Sequence, residues 1–121
     1  MVTKTGRKIT GGKYIQRRKK KLYERAGQPR IVKLGNEKRK TMRVRGGNKK
    51  TFLLVAKQIN VLDKNKIKKV EIKNVLETPS NKFLARQDIL TKGTIVQTDL
   101  GKVRITNRPS QEGMVNGIVI K

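Results

Sequence analysis

The stretch from Thr41 to Ala56, Thr-Met-Arg-Val-Arg-Gly-Gly-Asn-Lys-Lys-Thr-Phe-Leu-Leu-Val-Ala, is where a chain dominated by charge first acquires residues it can bury. Met42 and Val44 alternate with Arg43 and Arg45, the period of two expected of a strand with one wet face. Gly46, Gly47 and Asn48 tolerate positive φ and fit a tight turn. Beyond Lys49 and Lys50, Phe52 to Ala56 is a continuous apolar run of the length expected for a strand buried on both faces. The pattern predicts that the chain doubles back on itself here.

Such a hairpin gathers Arg43, Arg45, Lys49 and Lys50 around Gly46, Gly47 and Asn48. The two glycines have no side chain to hold a ligand off, and successive N–H groups in such a turn form an anion-binding concavity. Arginines grip phosphate oxygens in bidentate fashion, whereas lysines act as point charges. A Gly-Gly-Asn turn is also common as an ordinary solvated hairpin. Four cations at its mouth favour a phosphate clamp.

The charge balance points the same way. The 121 residues hold 32 Lys and Arg against 8 Asp and Glu, a net charge of +24. Charge so one-sided repels itself and calls for a polyanionic partner, with nucleic acid the first candidate. Residues 1–50 carry 19 Lys and Arg against Glu24 and Glu37, but only 13 of the apolar residues, while residues 51–121 carry 28. The front of the chain therefore cannot bury enough to fold unaided. The expected division is a basic arm over 1–40, extended or disordered until bound, and a body over 41–121.

The arm supplies Lys4, Arg7, Lys8, Lys13, Arg17, Arg18, Lys19, Lys20, Lys21, Arg25, Arg30, Lys38, Arg39 and Lys40 as candidate nucleic-acid contacts. Lys13 to Arg25 contains good helix formers, so a helix is open to it once its charges are neutralised; five consecutive cations from Arg17 to Lys21 oppose one in water. Tyr14 and Tyr23 either stack on bases or pack on the body, and two tyrosines do not make a stacking platform.

From Thr51 onward the pattern is nearly all strand. Phe52 to Leu62 reads as one strand, Asp63 to Lys66 as a turn, and Ile67 to Leu76 as the returning strand. Ile67 and Val75 are out of phase with Val70 and Ile72, which predicts bulges in a curved sheet. Lys82 to Leu90 suits either a short helix or a bent strand. Thr94 to Thr98 and Lys102 to Thr106 read as strands about Asp99-Leu100-Gly101, with Val103 and Ile105 inward. Asn107 to Gly113 is a loop, and Met114 to Ile120 a last strand in which Gly117 allows a bend or a close approach. The expected fold is mainly β: a small barrel-like body of about six short antiparallel strands. Arg86, in the undecided segment from Lys82 to Leu90, Lys92, in a turn, and Arg108, in a loop and presented by the fixed φ of Pro109, offer a second contact area for nucleic acid.

Cys and His are absent, which removes disulfides, Cys/His zinc sites and nucleophilic arrangements that need either residue. The carboxylates show no paired spacing and no Gly-rich phosphate loop precedes a helix, so no catalytic residue, metal or cofactor is expected. No apolar run approaches the roughly 18 residues that cross a bilayer, and no basic face accompanies a continuous apolar one. A cytoplasmic protein without a small-molecule substrate is expected.

Four motifs in order carry a family resemblance. They are Val44 to Lys50; Thr10 to Lys13 followed by Arg17 to Tyr23; Leu84 to Arg86 leading to Thr91-Lys92-Gly93; and Thr106 to Gly113, which is similar to a Ser-Arg-Pro-Gly-Gln-Asp-Gly signature. Together they resemble the archaeal and eukaryotic family of small-subunit ribosomal protein eight, written with an e suffix, in its short archaeal form. Asn107 and Ser110 depart from that signature, which bears on the Arg108 loop. The resemblance implies a barrel-like body with a basic extension, a monomer embedded in small-subunit ribosomal RNA beside neighbouring ribosomal proteins, with Gly46, Gly47, Asn48 and Lys49 as the family's Gly-Gly-Asn-Lys motif. A DNA-compacting chromatin-like protein is the alternative, since it shares the charge and the small β body.

Overall fold

Lys57 is the point at which one apolar stretch is divided between two sheets. In a computed structural model that describes residues 6–14, 18–63 and 66–120, β1 (Lys33–Leu34), β2 (Lys38–Arg43) and β3 (Lys49–Ala56) form a three-stranded sheet in the order β1-β3-β2. Directly after Lys57 the chain enters a closed barrel of β4 (Gln58–Asp63), β5 (Lys66–Glu77), β6 (Ile95–Thr98), β7 (Gly101–Ile105) and β8 (Asn116–Val119). The stretch read from sequence as a single strand, Phe52 to Leu62, is thus two strands in different sheets. Lys57-Gln58 interrupts the apolar run at the break, but one polar pair does not by itself distinguish a change of sheet from a single strand whose outer face becomes wet.

The mainly β barrel expected from the sequence is present, with eight strands among the described residues. The pairing is not wholly antiparallel, however: β1 lies parallel to β3, and β4 closes the barrel by pairing parallel with β8 through Asn60–Asn116, Val61–Gly117 and Leu62–Ile118. The segment left open between helix and strand contains a short helix, α1 (Lys82–Ala85), whose first turn is capped by Asn81 Oδ1 accepting from the Phe83 N–H at 3.0 Å.

Alternation fills the barrel. Ile59 and Val61 of β4, Val96 of β6, and Val103 and Ile105 of β7 are all buried, and their neighbours face outward. Ile72 and Val75 also both point inward although they are three apart. Register shifts between Ile72 and Asn74 and between Val75 and Glu77 make that possible, and Asn74 Oδ1 accepts from the Val75 N–H at 2.8 Å. The phase slip at Val75 is these bulges, whereas Ile67 pairs in regular register with Leu62 and simply faces outward. Val32, Leu53, Ala56 and Leu90 join the same core, so the small sheet and the barrel share one interior.

That interior is tightest at Gly117. Strand β8 is hydrogen-bonded on both sides, with Gly117 opposite Val61 on β4 and opposite Ile105 on β7. A Cβ there would stand 2.6 Å from Val103 Cγ1, 2.8 Å from Ile59 Cδ1 and 2.9 Å from the Arg104 carbonyl oxygen. The last of these is backbone and cannot rotate away. Gly117→Ala is expected to destabilise the protein by about 2 kcal/mol through overpacking, read as a lower urea midpoint with unchanged slope; an unshifted midpoint would mean that the seam has slack.

Candidate nucleic-acid interface

The hairpin forms as its residues dictate. Strands β2 and β3 run antiparallel down to Arg43 opposite Lys49, and the Val44 N–H donates to the Asn48 carbonyl at 2.8 Å. Between them Arg45, Gly46 and Gly47 make the turn, with Gly46 at φ 80° and Gly47 at φ 81° in the left-handed region. Those angles are strained for any residue with a Cβ, which is why the glycines stand there. The strand β2 was expected to wet one face only. All six of its residues are exposed, Met42 among them, so both faces are open along its length.

Two faces of the hairpin carry different groups. Arg39, Thr41 and Arg43 share one with Lys49, Thr51 and Leu53, and the Thr41 and Thr51 hydroxyls meet at 3.0 Å. Lys40, Met42, Lys50 and Phe52 share the other. There the Arg30 guanidinium lies 4.0 Å from the centroid of the buried Phe52 ring and donates to Met42 Sδ at 3.6 Å. Arg30 is therefore held by a cation–π contact where the arm leaves the sheet.

The structure brings the Arg108 loop to this hairpin across nearly sixty residues of sequence. The Leu53 N–H donates to the Pro109 carbonyl at 3.1 Å, Lys50 Nζ donates to Gln111 Oε1, and Gly113 lies so close to Thr51 that a Cβ would stand 3.0 Å from its Cγ2. Pro109 is buried, and Asn107 ties the loop down by donating to Glu112 Oε2 and to the Met114 carbonyl, both at 2.8 Å. Asn107 thus holds the loop in shape, and Arg108 is left exposed beside the hairpin. The loop that carries Arg108 so meets β3 at Lys50 to Leu53, just beyond the turn that carries Arg43, Arg45 and Lys49.

Lys92 precedes Gly93, whose N–H donates to the Ile105 carbonyl at 2.8 Å at the end of β7, and Arg86 lies elsewhere. The segment after α1 docks on the β1 edge, where the Leu34 N–H donates to the Asp88 carbonyl and the Leu90 N–H to the Val32 carbonyl. Since β1 pairs with Val55 and Ala56, this lies at the far end of β3 from the turn, roughly 20 Å away at 3.3 Å per residue.

In the arm, Arg7 and Lys13 bridge across a small hairpin, and Arg7 donates to the Gly11 carbonyl at 3.0 Å. Lys13 to Arg25 does not form a helix among its described residues, which hold only a 3-10 turn at Leu22–Glu24. Lys8, Lys19, Lys20, Lys21 and Arg25 are exposed, as is Tyr23; Lys4 and Arg17 lie outside the described residues. Arg18 is bidentate to Glu24 at 2.5 and 2.8 Å, and Arg39 is paired with Glu37. Lys38 and Lys40 stand exposed on β2. The reading of the arm as running to Lys40 differs from what residues 32–40 do: Val32 is buried, and β1 and most of β2 pair with β3.

Cations that the sequence reading passed over are exposed on the barrel, among them Lys66, Lys68 and Lys69 of β5. Their short spacing was visible, but their position on a projecting strand was not. Among the described residues, no group of three or more acidic, His or Cys side chains is arranged to hold a metal, and no helix is long and apolar enough to cross a membrane.

The profile of the family described as Ribosomal protein S8e matches residues 2–120. The chain belongs to the S8e family. It is 47% identical over 117 residues to the small ribosomal subunit protein eS8 of Nanoarchaeum equitans, a match covering 95% of this chain and 92% of that one. The eS8 proteins of Ignicoccus hospitalis and Staphylothermus marinus are 49% and 47% identical, again over 95% of this chain and 92% of theirs. The resemblance read from the four motifs is borne out, including its archaeal character.

One local consequence can be checked by titration. The Arg18 guanidinium, helped by the Lys21 backbone N–H, holds the Glu24 carboxyl below its usual range. The pair is therefore complete above the ordinary carboxylate pKa and is lost as pH falls through the depressed one. In an NMR titration of the Glu24 side chain, Arg18→Ala should raise the midpoint. No change would mean that the two groups do not meet in solution.

Proposed function

We propose that this S8e-family chain is a structural constituent of the small ribosomal subunit, binding and stabilising small-subunit ribosomal RNA through phosphate contacts in support of translation. It acts as a monomer in cytoplasmic ribosomes, among other ribosomal proteins. The observation that carries the reading is the docking of the Arg108 loop on β3 at Leu53 and Lys50, the strand that leads out of the glycine turn with Arg43, Arg45, Lys49 and Lys50 about it. Curated relatives named as small ribosomal subunit proteins add to it.

In this mechanism Arg43, Arg45, Lys49, Lys50 and Arg108 grip phosphates along a helical RNA backbone. Gly46 and Gly47 let that backbone come close to the turn. The arm, with Arg7, Lys8, Lys13 and the run from Arg18 to Lys21, threads between RNA helices and orders there, while Arg30 over Phe52 fixes where it departs. Recognition is by shape, since A-form RNA presents phosphates and 2′-hydroxyls more readily than base edges. Each neutralised phosphate releases counterions, so affinity falls steeply with salt.

Two experiments test this. Removing residues 1–28 should leave the melting temperature unchanged and weaken binding to small-subunit ribosomal RNA, with a shallower dependence on salt; removing 1–40 should also lower the melting temperature, because Val32, β1 and half of β2 go with it. Equal RNA affinity after the shorter truncation would rule out the arm as a main point of attachment. Arg43→Glu with Arg45→Glu should reduce the logarithmic salt slope by about two, roughly one for each phosphate no longer gripped, at unchanged stability. If duplex DNA bound as tightly as folded RNA at matched salt, the alternative of DNA compaction would gain over this reading.

A further inference from the structure

The barrel carries a second surface whose chemistry is not that of a phosphate site. Val61 is wholly buried inside the barrel, so its neighbour Leu62 projects outward. Register places Leu62 directly opposite Ile67 on β5 and opposite Ile118 on β8, and residues opposite one another project from the same side of a sheet. The three are 47%, 75% and 42% exposed. Ile120, whose N–H donates to the Lys102 carbonyl, lengthens the strip beyond Ile118.

Beside this strip lies a backbone edge. Residues Lys66 to Val70 of β5 pair with β4, but the pairing of β5 with β6 begins only at Ile72. Among the described strand pairings, the outer side of Lys66–Val70 is therefore open, next to the most exposed aliphatic residue of the strip. The cations of this edge are Lys66, Lys68 and Lys69, with Lys68 3.2 Å from Asp63 Oδ2. Arg104 stands opposite Ile118 at the other end of the strip.

We propose that the open edge Lys66–Val70 and the adjoining Ile67–Leu62–Ile118 strip dock an extended segment of another protein, one that carries carboxylates around an aliphatic residue. An added strand hydrogen-bonds an open edge and is selected by the side chains alternating along it. Here it would place an aliphatic group beside Ile67 and a carboxylate two residues away beside Lys69. RNA fits poorly, because phosphate and ribose give three aligned aliphatic side chains little to be buried against. A second copy of this chain also fits poorly, because it would bring lysine against lysine along the edge, the usual device against edge-to-edge pairing.

The inference uses the small-subunit reading only to choose the particle in which it is tested. A photoreactive benzoylphenylalanine is placed at position 67 or 118, and in parallel at position 45, in chains assembled into purified small subunits. Positions 67 and 118 are expected to cross-link to the same acidic segment of a single other protein, identified by peptide mass, whereas position 45 cross-links to RNA. Leu62→Asp with Ile67→Asp should cut the cross-link from position 118 about tenfold, a loss of about 1.4 kcal/mol, with the melting curve unchanged because both residues are exposed. Should the double variant melt early, Ile118→Ser read from position 67 serves in its place. Cross-links from 67 and 118 to RNA, to a second copy or to no polypeptide, or an undiminished cross-link in the variants, would overturn the proposal. Co-sedimentation of the unsubstituted chain with the small subunit, measured alongside, reports separately on the proposed function.

Discussion

Closure of the barrel at β8 is the constraint on which the remaining structure depends. A sheet of five strands can close only if its last strand fits against its first, and here that strand reaches both β4 and β7 through Gly117. The methyl groups of Val103 and Ile59 occupy the space a side chain would need. With the seam shut, Val61, Val96, Val103 and Ile105 lie in a dry interior that stiff β-branched residues fill well. The same closure fixes where the Asn107–Gly113 loop emerges, and hence where Arg108 sits.

Charge acts in the opposite sense. Eight carboxylates cannot offset 32 Lys and Arg, and the ion pairs seen, such as Lys73–Asp99 and Lys57–Glu71, are exposed and worth little each. The fold is stable because apolar burial is concentrated behind residue 51, while the cations are displaced to an arm, a hairpin and strand exteriors. A polyanion that neutralises them therefore lowers the energy of a shape already built in the body.

Much of this was legible in the residues. The turn glycines, the inward Val103 and Ile105, the bulges behind the phase slip at Val75 and the tight approach at Gly117 each follow from local chemistry. So does the family, from four short motifs. What was not legible depended on partners distant in sequence. The division at Lys57 is hidden because a polar Lys57-Gln58 pair reads equally well as a continuing strand with one wet face. Parallel closure of β4 on β8 leaves no mark in either strand. Val32 lies in a stretch whose composition reads as arm, yet the hydrogen bond from the Leu90 N–H and the shared core draw it inside. For the candidate site, the cations of the hairpin were visible, but not the docking of the Arg108 loop on β3 or the holding of Arg30 by Phe52.

The passage of the chain from β3 straight into β4 has a mechanical meaning. Only Lys57 separates them, and its carbonyl accepts the Ile72 N–H at 2.8 Å, so there is no slack linker about which the hairpin could swivel relative to the barrel. Whatever grips the turn at Gly46 and Gly47 thereby sets the heading of the whole cylinder, as a key's bow sets its blade. A ligand taken at the turn would aim the aliphatic strip of the barrel in a single direction in space.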